Sequence, residues 1–217
     1  MRKKFIISAL SVAAVGLLAG CAAMAPKTSN HALFQEVMKS SFSDKGIAKV
    51  ERLEQDASNK ACSDAQGQPL PDATAKAIEA ANLKTVKMPS DGKFIGDWKA
   101  GDKLAQNGRG MTWNEKSTDP SGNGGNCYNC HQVTKEELSY GTIGPSLYNY
   151  GKIRGVKDPA SPASKVIVEY TWSKLYNAKS YNACSGMPRF GHAGMLAESQ
   201  LKDLMALLLD PKSPVNQ

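Results

Sequence analysis

Apolar residues recur every three or four positions along several stretches of the chain, a pattern that predicts amphipathic α-helices. The first predicted helix begins at His31, and its apolar positions are Leu33, Phe34, Val37, Met38 and Phe42. A second helix, for which Asp44 is a suitable N-terminal cap, has apolar positions at Ile47, Val50, Leu53, Ala57 and Ala61. A third is expected over residues 72–82, and residues 88–92, with Pro and Gly, mark a boundary.

The second half of the chain continues this helical pattern. We expect a helix over residues 94–110, an apolar packing stretch over 166–176, and a final helix over 198–209 that an Asp-Pro pair ends. Gly101 lies inside the first of these, and because glycine costs about 1 kcal/mol relative to alanine in a helix, it indicates close approach of another helix. Residues 109–125, rich in Gly and Asn, predict a surface loop. The expected fold is therefore all-α.

The N-terminus has the three parts of a secretory signal: a basic start, an apolar run too short to span a bilayer as a helix, and small residues at its end. Residues 18–21, Leu-Ala-Gly-Cys, resemble the lipobox of bacterial lipoproteins, in which cleavage exposes a cysteine that receives lipid. Cleavage after Ala25 is the alternative, but it would leave Pro26 at the first mature position. We expect residues 1–20 to be removed, lipid on Cys21, a tether over 21–30 and a periplasmic location at a membrane.

The charge of the chain changes this picture little. The formal net charge is +7, and three of the positive charges belong to the signal segment. Beyond that segment Lys and acidic residues are interspersed and no basic run occurs, so the sequence does not indicate nucleic-acid binding.

Residues 127–131 read Cys-Tyr-Asn-Cys-His, a sequence typical of covalent haem attachment in an exported protein. Two thiols three residues apart lie on the same side of one helical turn, so both can reach the vinyl groups of one haem edge. The next residue, His131, can then bind the iron from one face, as the proximal His does in cytochromes c. We therefore expect one covalently bound haem c, tethered by Cys127 and Cys130.

The cysteine pair has two other interpretations. A thioredoxin-like redox pair expects a preceding strand and βαβ patterning, and neither is evident. Half of a zinc site would need two further ligands from Cys62, Cys184, His31 or His192, which stand at no recognisable spacing.

Pro145 follows His131 by 14 residues, within the sequence Gly-Pro-Ser-Leu. A metal-bound His needs an acceptor for its other ring N–H, and the carbonyl of such a segment commonly takes that proton in small cytochromes c. We expect Leu147 to pack on the ring face of the haem. A plain Gly-Pro turn is the simpler interpretation, but it is less favoured at this distance after the cysteine motif.

The second axial ligand is expected from residues 183–192. A thioether opposite His131 favours reduced iron, and Pro188 biases Met187 towards the extended geometry that a loop over the haem requires. His192 and Met195 are the rival ligands. Once Cys21, Cys127 and Cys130 are assigned, Cys62 and Cys184 are left as a pair in an oxidising compartment, and we expect a disulfide between them.

Together, residues 127–131, 140–147, 181–191 and 201–208 resemble the SoxX family, the monohaem cytochrome c subunit of the SoxAX complex of bacterial sulfur oxidation. The resemblance covers residues 94–212 and implies a class I cytochrome c fold over residues 93–212, with a helical extension over 31–92. In small cytochromes c a terminal helix of this kind crosses the first one, which would place Gly101 near the contact. The lipobox departs from the soluble periplasmic pattern expected of this family.

The resemblance also implies a function and partners. SoxX pairs with the haem protein SoxA in a heterodimer that oxidatively joins thiosulfate to a cysteine of the carrier SoxYZ, an L-cysteine S-thiosulfotransferase activity. SoxX passes the electrons to a downstream acceptor and is not catalytic alone. A generic lipid-anchored periplasmic electron carrier is one alternative. A haem sensor or peroxidase, which needs an open or displaceable sixth position on the iron, is another.

Overall fold

The computed structural model describes residues 30–217, except for the side chain of His31, and the signal segment and Cys21 lie outside these residues. The described part is helical and contains no β-strand, as expected from the sequence. Its α-helices are α1 (Asn30–Ser41), α2 (Ala57–Asp64), α3 (Asp72–Leu83), α4 (Trp98–Gln106), α5 (Tyr150–Ile153), α6 (Lys165–Tyr176) and α7 (Glu198–Leu209). Short 3-10 turns lie between several of them.

The chain divides into two compact units, of which the first ends at Ser43 and the second is Asp44–Gln217. In the first unit α1 begins one residue before the predicted start. The backbone N–H of Phe42 extends the helix by donating to the carbonyl of Met38. Apolar side chains of this helix, Leu33, Phe34 and Val37, are exposed.

The second predicted helix is the main correction to the secondary structure. Residues 47–61 do not form one helix: Val50–Leu53 make a 3-10 turn, and α2 starts only after an interruption at residues 54–56. Asp56, not Asp44, caps α2, because its carboxylate accepts the N–H of Asn59 at 2.8 Å. Asp44 instead accepts the N–H of Val50 at 2.9 Å, which stabilises the 3-10 turn.

α4 and α7 cross at close range, and Gly101 lies at their contact, as predicted. A Cβ on Gly101 would lie 2.7 Å from the carbonyl carbon of Asp203 and 3.0 Å from Cβ of Leu207, so only glycine fits here. Asp97 caps α4 by accepting the N–H of Lys99, which makes the helix shorter than the predicted 94–110. The helix that the sequence placed at 198–209 has those bounds in the structure.

The core lies under α7 and α6. The side chains of α7 that face it are fully or nearly fully buried, as are the large apolar side chains of α6. They include Leu201, Leu204, Met205, Leu207, Leu209, Val168, Trp172 and Leu175. Burying a leucine side chain stabilises a fold by roughly 1.5–3 kcal/mol. The buried side chains of α6 and α7 therefore contribute much of the hydrophobic stabilisation of this core.

We predict that Gly101→Ala destabilises the protein although alanine is the better helix former. The gain in helix propensity is about 1 kcal/mol, whereas overpacking two helix backbones costs typically 1–3 kcal/mol. A fall of several degrees in melting temperature should be measurable by circular dichroism. Gly122→Ala is the control, because nothing lies within 4 Å of a Cβ there. An unchanged melting temperature in Gly101→Ala would contradict the tight crossing.

Candidate functional site

The cysteine motif forms one tight turn. Cys127–Asn129 are a 3-10 turn that begins after Asn126, whose φ of 51° is in the left-handed region that asparagine tolerates. The carbonyl of Cys127 accepts the N–H groups of both Cys130, at 3.1 Å, and His131, at 2.9 Å. The two thiols and the imidazole are therefore carried by a single turn of backbone.

Backbone hydrogen bonds attach this turn to the end of α4. The N–H of Gly125 donates to the carbonyl of Leu104 at 2.9 Å, and that of Asn126 donates to Asn107 at 3.0 Å. Since α4 is fixed by its crossing with α7, the cysteine turn has a defined place at one end of the helix pair.

His131 is oriented by a hydrogen bond from its ring. Nδ1 of His131 lies 2.6 Å from the carbonyl oxygen of Pro145, the residue that the sequence named as the acceptor. A carbonyl can only accept, so Nδ1 carries the proton and donates it. The lone pair of Nε2 is then the one left to bind a metal.

The segment that carries Pro145 is held against the cysteine turn by three backbone hydrogen bonds. Gly141 donates to Tyr128 at 2.8 Å, Gly144 to Cys130 at 2.8 Å, and Leu147 to Gln132 at 2.7 Å. These bonds fix the Pro145 carbonyl relative to the His131 ring. Leu147, expected to pack beside the haem, is partly buried against the core.

The sequence did not predict the part played by Gly144. Its Cα lies so close to the His131 ring that a Cβ would overlap it, 2.7 Å from Nε2. The only sequence signal is a glycine directly before the proline, which also fits an ordinary turn.

The structure bears on both rival interpretations of the cysteines. Burial raises the pKa of the Cys127 thiol to about 12, so at neutral pH it is protonated and poorly suited to disulfide exchange. Cys62 and Cys184, two of the four residues from which a zinc site could have drawn its further ligands, are bonded to each other with their Cα atoms 5.5 Å apart. Among residues 30–217 no three His, Cys, Asp or Glu side chains converge as a metal site would require.

The three candidate second ligands lie in one segment but in different surroundings. Met187 and Met195 are partly buried against the core, whereas His192 is exposed. Partial burial and the neighbouring Arg189 cation lower the pKa of His192. The backbone of Met195 is held on both sides, by its N–H to Phe190 at 2.9 Å and by its carbonyl from the Asn123 amide at 2.8 Å.

Residues 109–125 form the expected surface loop, closed at its base. Gly124 donates to the carbonyl of Arg109 at 2.8 Å, which joins the two ends. The carbonyl of Met111 accepts a hydrogen bond from Arg52 at 2.6 Å, and Trp113 is exposed. The backbone of Met111 thus anchors the loop.

None of the helices formed by residues 30–217 combines the length and apolar composition needed to cross a bilayer.

Comparison with known proteins gives one informative similarity. A protein of Aquifex aeolicus (strain VF5), described as an uncharacterized lipoprotein, is 36% identical to this chain over 135 residues. The aligned region is 61% of this chain and 59% of the relative, so the chain spans less than two thirds of that protein's length. A scan of known protein families finds no family that matches the chain.

Proposed function

We propose that the protein is a monohaem c-type cytochrome that carries electrons. The observation that carries the proposal is the hydrogen bond from His131 to the Pro145 carbonyl, 2.6 Å long, inside a Cys-x-x-Cys-His turn. It gives His131 the tautomer and ring orientation that a metal ligand requires.

The residues of this site fit a covalently attached haem. Cys127 and Cys130 can form the two thioether bonds from one turn, and His131 supplies an imidazole nitrogen to one axial position. When bound, the haem iron supplies one-electron redox chemistry. Pro145 holds the proton on Nδ1, Gly144 admits the ring at close range, and Met187 is the proposed sixth ligand.

The arrangement of helices supports a class I cytochrome c fold for residues 93–212. Its first and last helices, α4 and α7, cross at Gly101, and the cysteine turn follows at the end of the first. α2 and α3 then belong to the appended helical extension, and α3 packs against the turn Ala178–Ser180 of this domain.

The further proposal is that this cytochrome is the electron-accepting subunit of a SoxAX complex. If His131 and Met187 both held the iron, it could accept an electron but would be poorly placed to bind thiosulfate. The sulfur chemistry would therefore occur on SoxA, with SoxYZ as the carrier and this chain drawing off the electrons. The resemblance of residues 127–131, 140–147 and 181–191 to SoxX supports this assignment.

Lipid on Cys21 would hold the protein at the periplasmic face of a membrane. The lipobox at residues 18–21 supports this anchor, as does the relative from Aquifex aeolicus, which is described as a lipoprotein. An anchored carrier would stay near its membrane-bound electron acceptor, whereas a soluble one would diffuse.

Mixing the purified haem-loaded protein with SoxA, SoxYZ and thiosulfate should reduce its haem, as followed by the visible spectrum. Omitting SoxA should abolish that reduction, because this chain cannot bind thiosulfate itself. Equal reduction without SoxA, or no association with SoxA in a pull-down, would favour a generic lipid-anchored electron carrier.

A further inference from the structure

Helix α2 contacts residues 183–192, here called the distal segment, on both sides of Met187. Cys184, three residues before Met187, is disulfide-bonded to Cys62 in the last turn of α2. Arg189, two residues after it, pairs with Asp56 at the N-terminus of α2, with 2.6 Å between the charged atoms. The two contacts pair residues in opposite order, so this stretch of the distal segment runs antiparallel to α2.

The spacing of these contacts leaves room for the segment between them to bend away from α2. Asp56 and Cys62 are six residues apart on a helical stretch, which corresponds to about 9 Å along its axis. The five peptide steps from Cys184 to Arg189 would span roughly 17 Å if extended. The segment has length to spare between the two contacts and bends at Met187, whose side chain packs against the core; we call residues 184–189 the bow.

Both ends of the bow are more firmly held than its middle. At the upstream end the N–H of Ala183 donates to the Glu79 carboxylate at 3.1 Å. The carbonyl of Ala183 accepts a hydrogen bond from the buried Lys179 ammonium at 2.8 Å. In the middle the hydrogen bonds are local, such as the one from the Met187 N–H to the Ser185 hydroxyl at 3.3 Å. The position of Met187 therefore depends on the contacts at the ends.

The ion pair is built into the start of α2. The Asp56 carboxylate accepts the N–H of Asn59 as the helix cap and also pairs with Arg189. Burial raises the pKa of Asp56, but these two interactions outweigh it and hold that pKa below its usual value. The Arg189 side chain is only 18% exposed, so the pair is better shielded than an ordinary surface pair.

We propose that α2 positions the axial ligand: the Cys62–Cys184 bond and the Asp56–Arg189 pair hold the bow so that the Met187 thioether stays on the iron. The inference rests on the proposed haem function. A thioether is a soft ligand and holds oxidised iron weakly, so its retention depends on how rarely the loop opens. Asp56, Cys62, Cys184 and Arg189 are positioning residues that act through Met187.

The test uses imidazole as a competitor for the sixth position of the oxidised haem protein. Imidazole can bind only when Met187 has left the iron, which we call the open form. Its apparent dissociation constant is then the intrinsic constant divided by the fraction of protein that is open. Releasing the bow raises that fraction and should therefore tighten imidazole binding. We expect a fall in that constant of about tenfold in the Cys62→Ser, Cys184→Ser double variant and about threefold in Asp56→Asn. Asparagine keeps the helix cap and removes only the charge.

Two controls separate positioning from general stability. Lys60→Ala removes an ion pair with Asp64 within α2 itself and should leave imidazole affinity unchanged. Gly101→Ala should lower the melting temperature through the α4–α7 crossing and also leave imidazole affinity unchanged. Imidazole affinity that simply follows melting temperature across all these variants would overturn the proposal.

The possible results distinguish a failure of the positioning role of α2 from a failure of the proposed cytochrome function. A wild-type protein without covalent haem would overturn both, whereas one with covalent haem but no methionine–iron signal would overturn the positioning inference alone. If the wild type has both properties and the double variant and Asp56→Asn keep wild-type imidazole affinity, the cytochrome stands and the positioning role of α2 is refuted. Because Asp56→Asn leaves every cysteine in place, it decides the matter even where the double variant fails to fold.

Discussion

Replacing Cys127 and Cys130 together by serine should leave no haem covalently attached to the chain. In the proposed cytochrome each thiol would form one of the two thioether bonds, and serine has no comparable reaction with a haem vinyl group. Denaturing electrophoresis followed by haem staining should show a stained band for the wild type and none for the double variant. The expected effect is complete loss.

The matched control uses the other two described cysteines. Cys62→Ser with Cys184→Ser also removes two sulfur atoms, but these form the disulfide, so the stained band should remain. Haem that acidified acetone extracts from the wild-type protein would show that it is not covalently held, and the assignment of this turn would be wrong.

Replacing Met187 by alanine should remove the weak near-infrared band that arises from methionine-to-ferric charge transfer. The reduction potential should fall as well, because a ligand that favours reduced iron is lost. Axial ligands span about 0.8 V in haem proteins, and a drop on the order of 0.1–0.3 V is expected here. Redox titration followed in the visible spectrum measures it.

Met195→Ala is the control for this experiment. Met195 is also partly buried against the core, so its loss tests for a general effect of removing a methionine from this segment. It should alter neither the band nor the potential. A band that persists in Met187→Ala would assign the sixth position to another residue, with Met195 and His192 the first to examine.

The parts of the structure that the sequence predicted best depend on local or fixed spacing. The bounds of α7 follow from its leucine periodicity and the Asp-Pro pair behind it. The Pro145 carbonyl could be predicted as the acceptor of the His131 ring proton because it lies 14 residues after a highly specific motif, Cys-x-x-Cys-His. In both cases the information lies within about fifteen residues.

The failures involve contacts between distant residues. Asp44 and Asp56 are both plausible caps in the sequence, and only the structure shows that Asp56 starts α2 while paired with Arg189, 133 positions away. Gly144 looks like an ordinary turn residue until the His131 ring is seen against it. No periodicity or local motif carries such information.

Because the loop over residues 109–125 is closed at its base, the geometry of the cysteine turn does not depend on the length of the loop. Gly124 and Asn126 are bonded to Arg109 and Asn107, so the chain re-enters the cysteine turn from a fixed point whatever lies between. Lengthening a flexible loop is inexpensive, about 0.6 kcal/mol for each doubling. Residues 116–119, all exposed, are therefore a permissive insertion site at which an affinity peptide or fluorophore can be attached without shifting the cysteine turn.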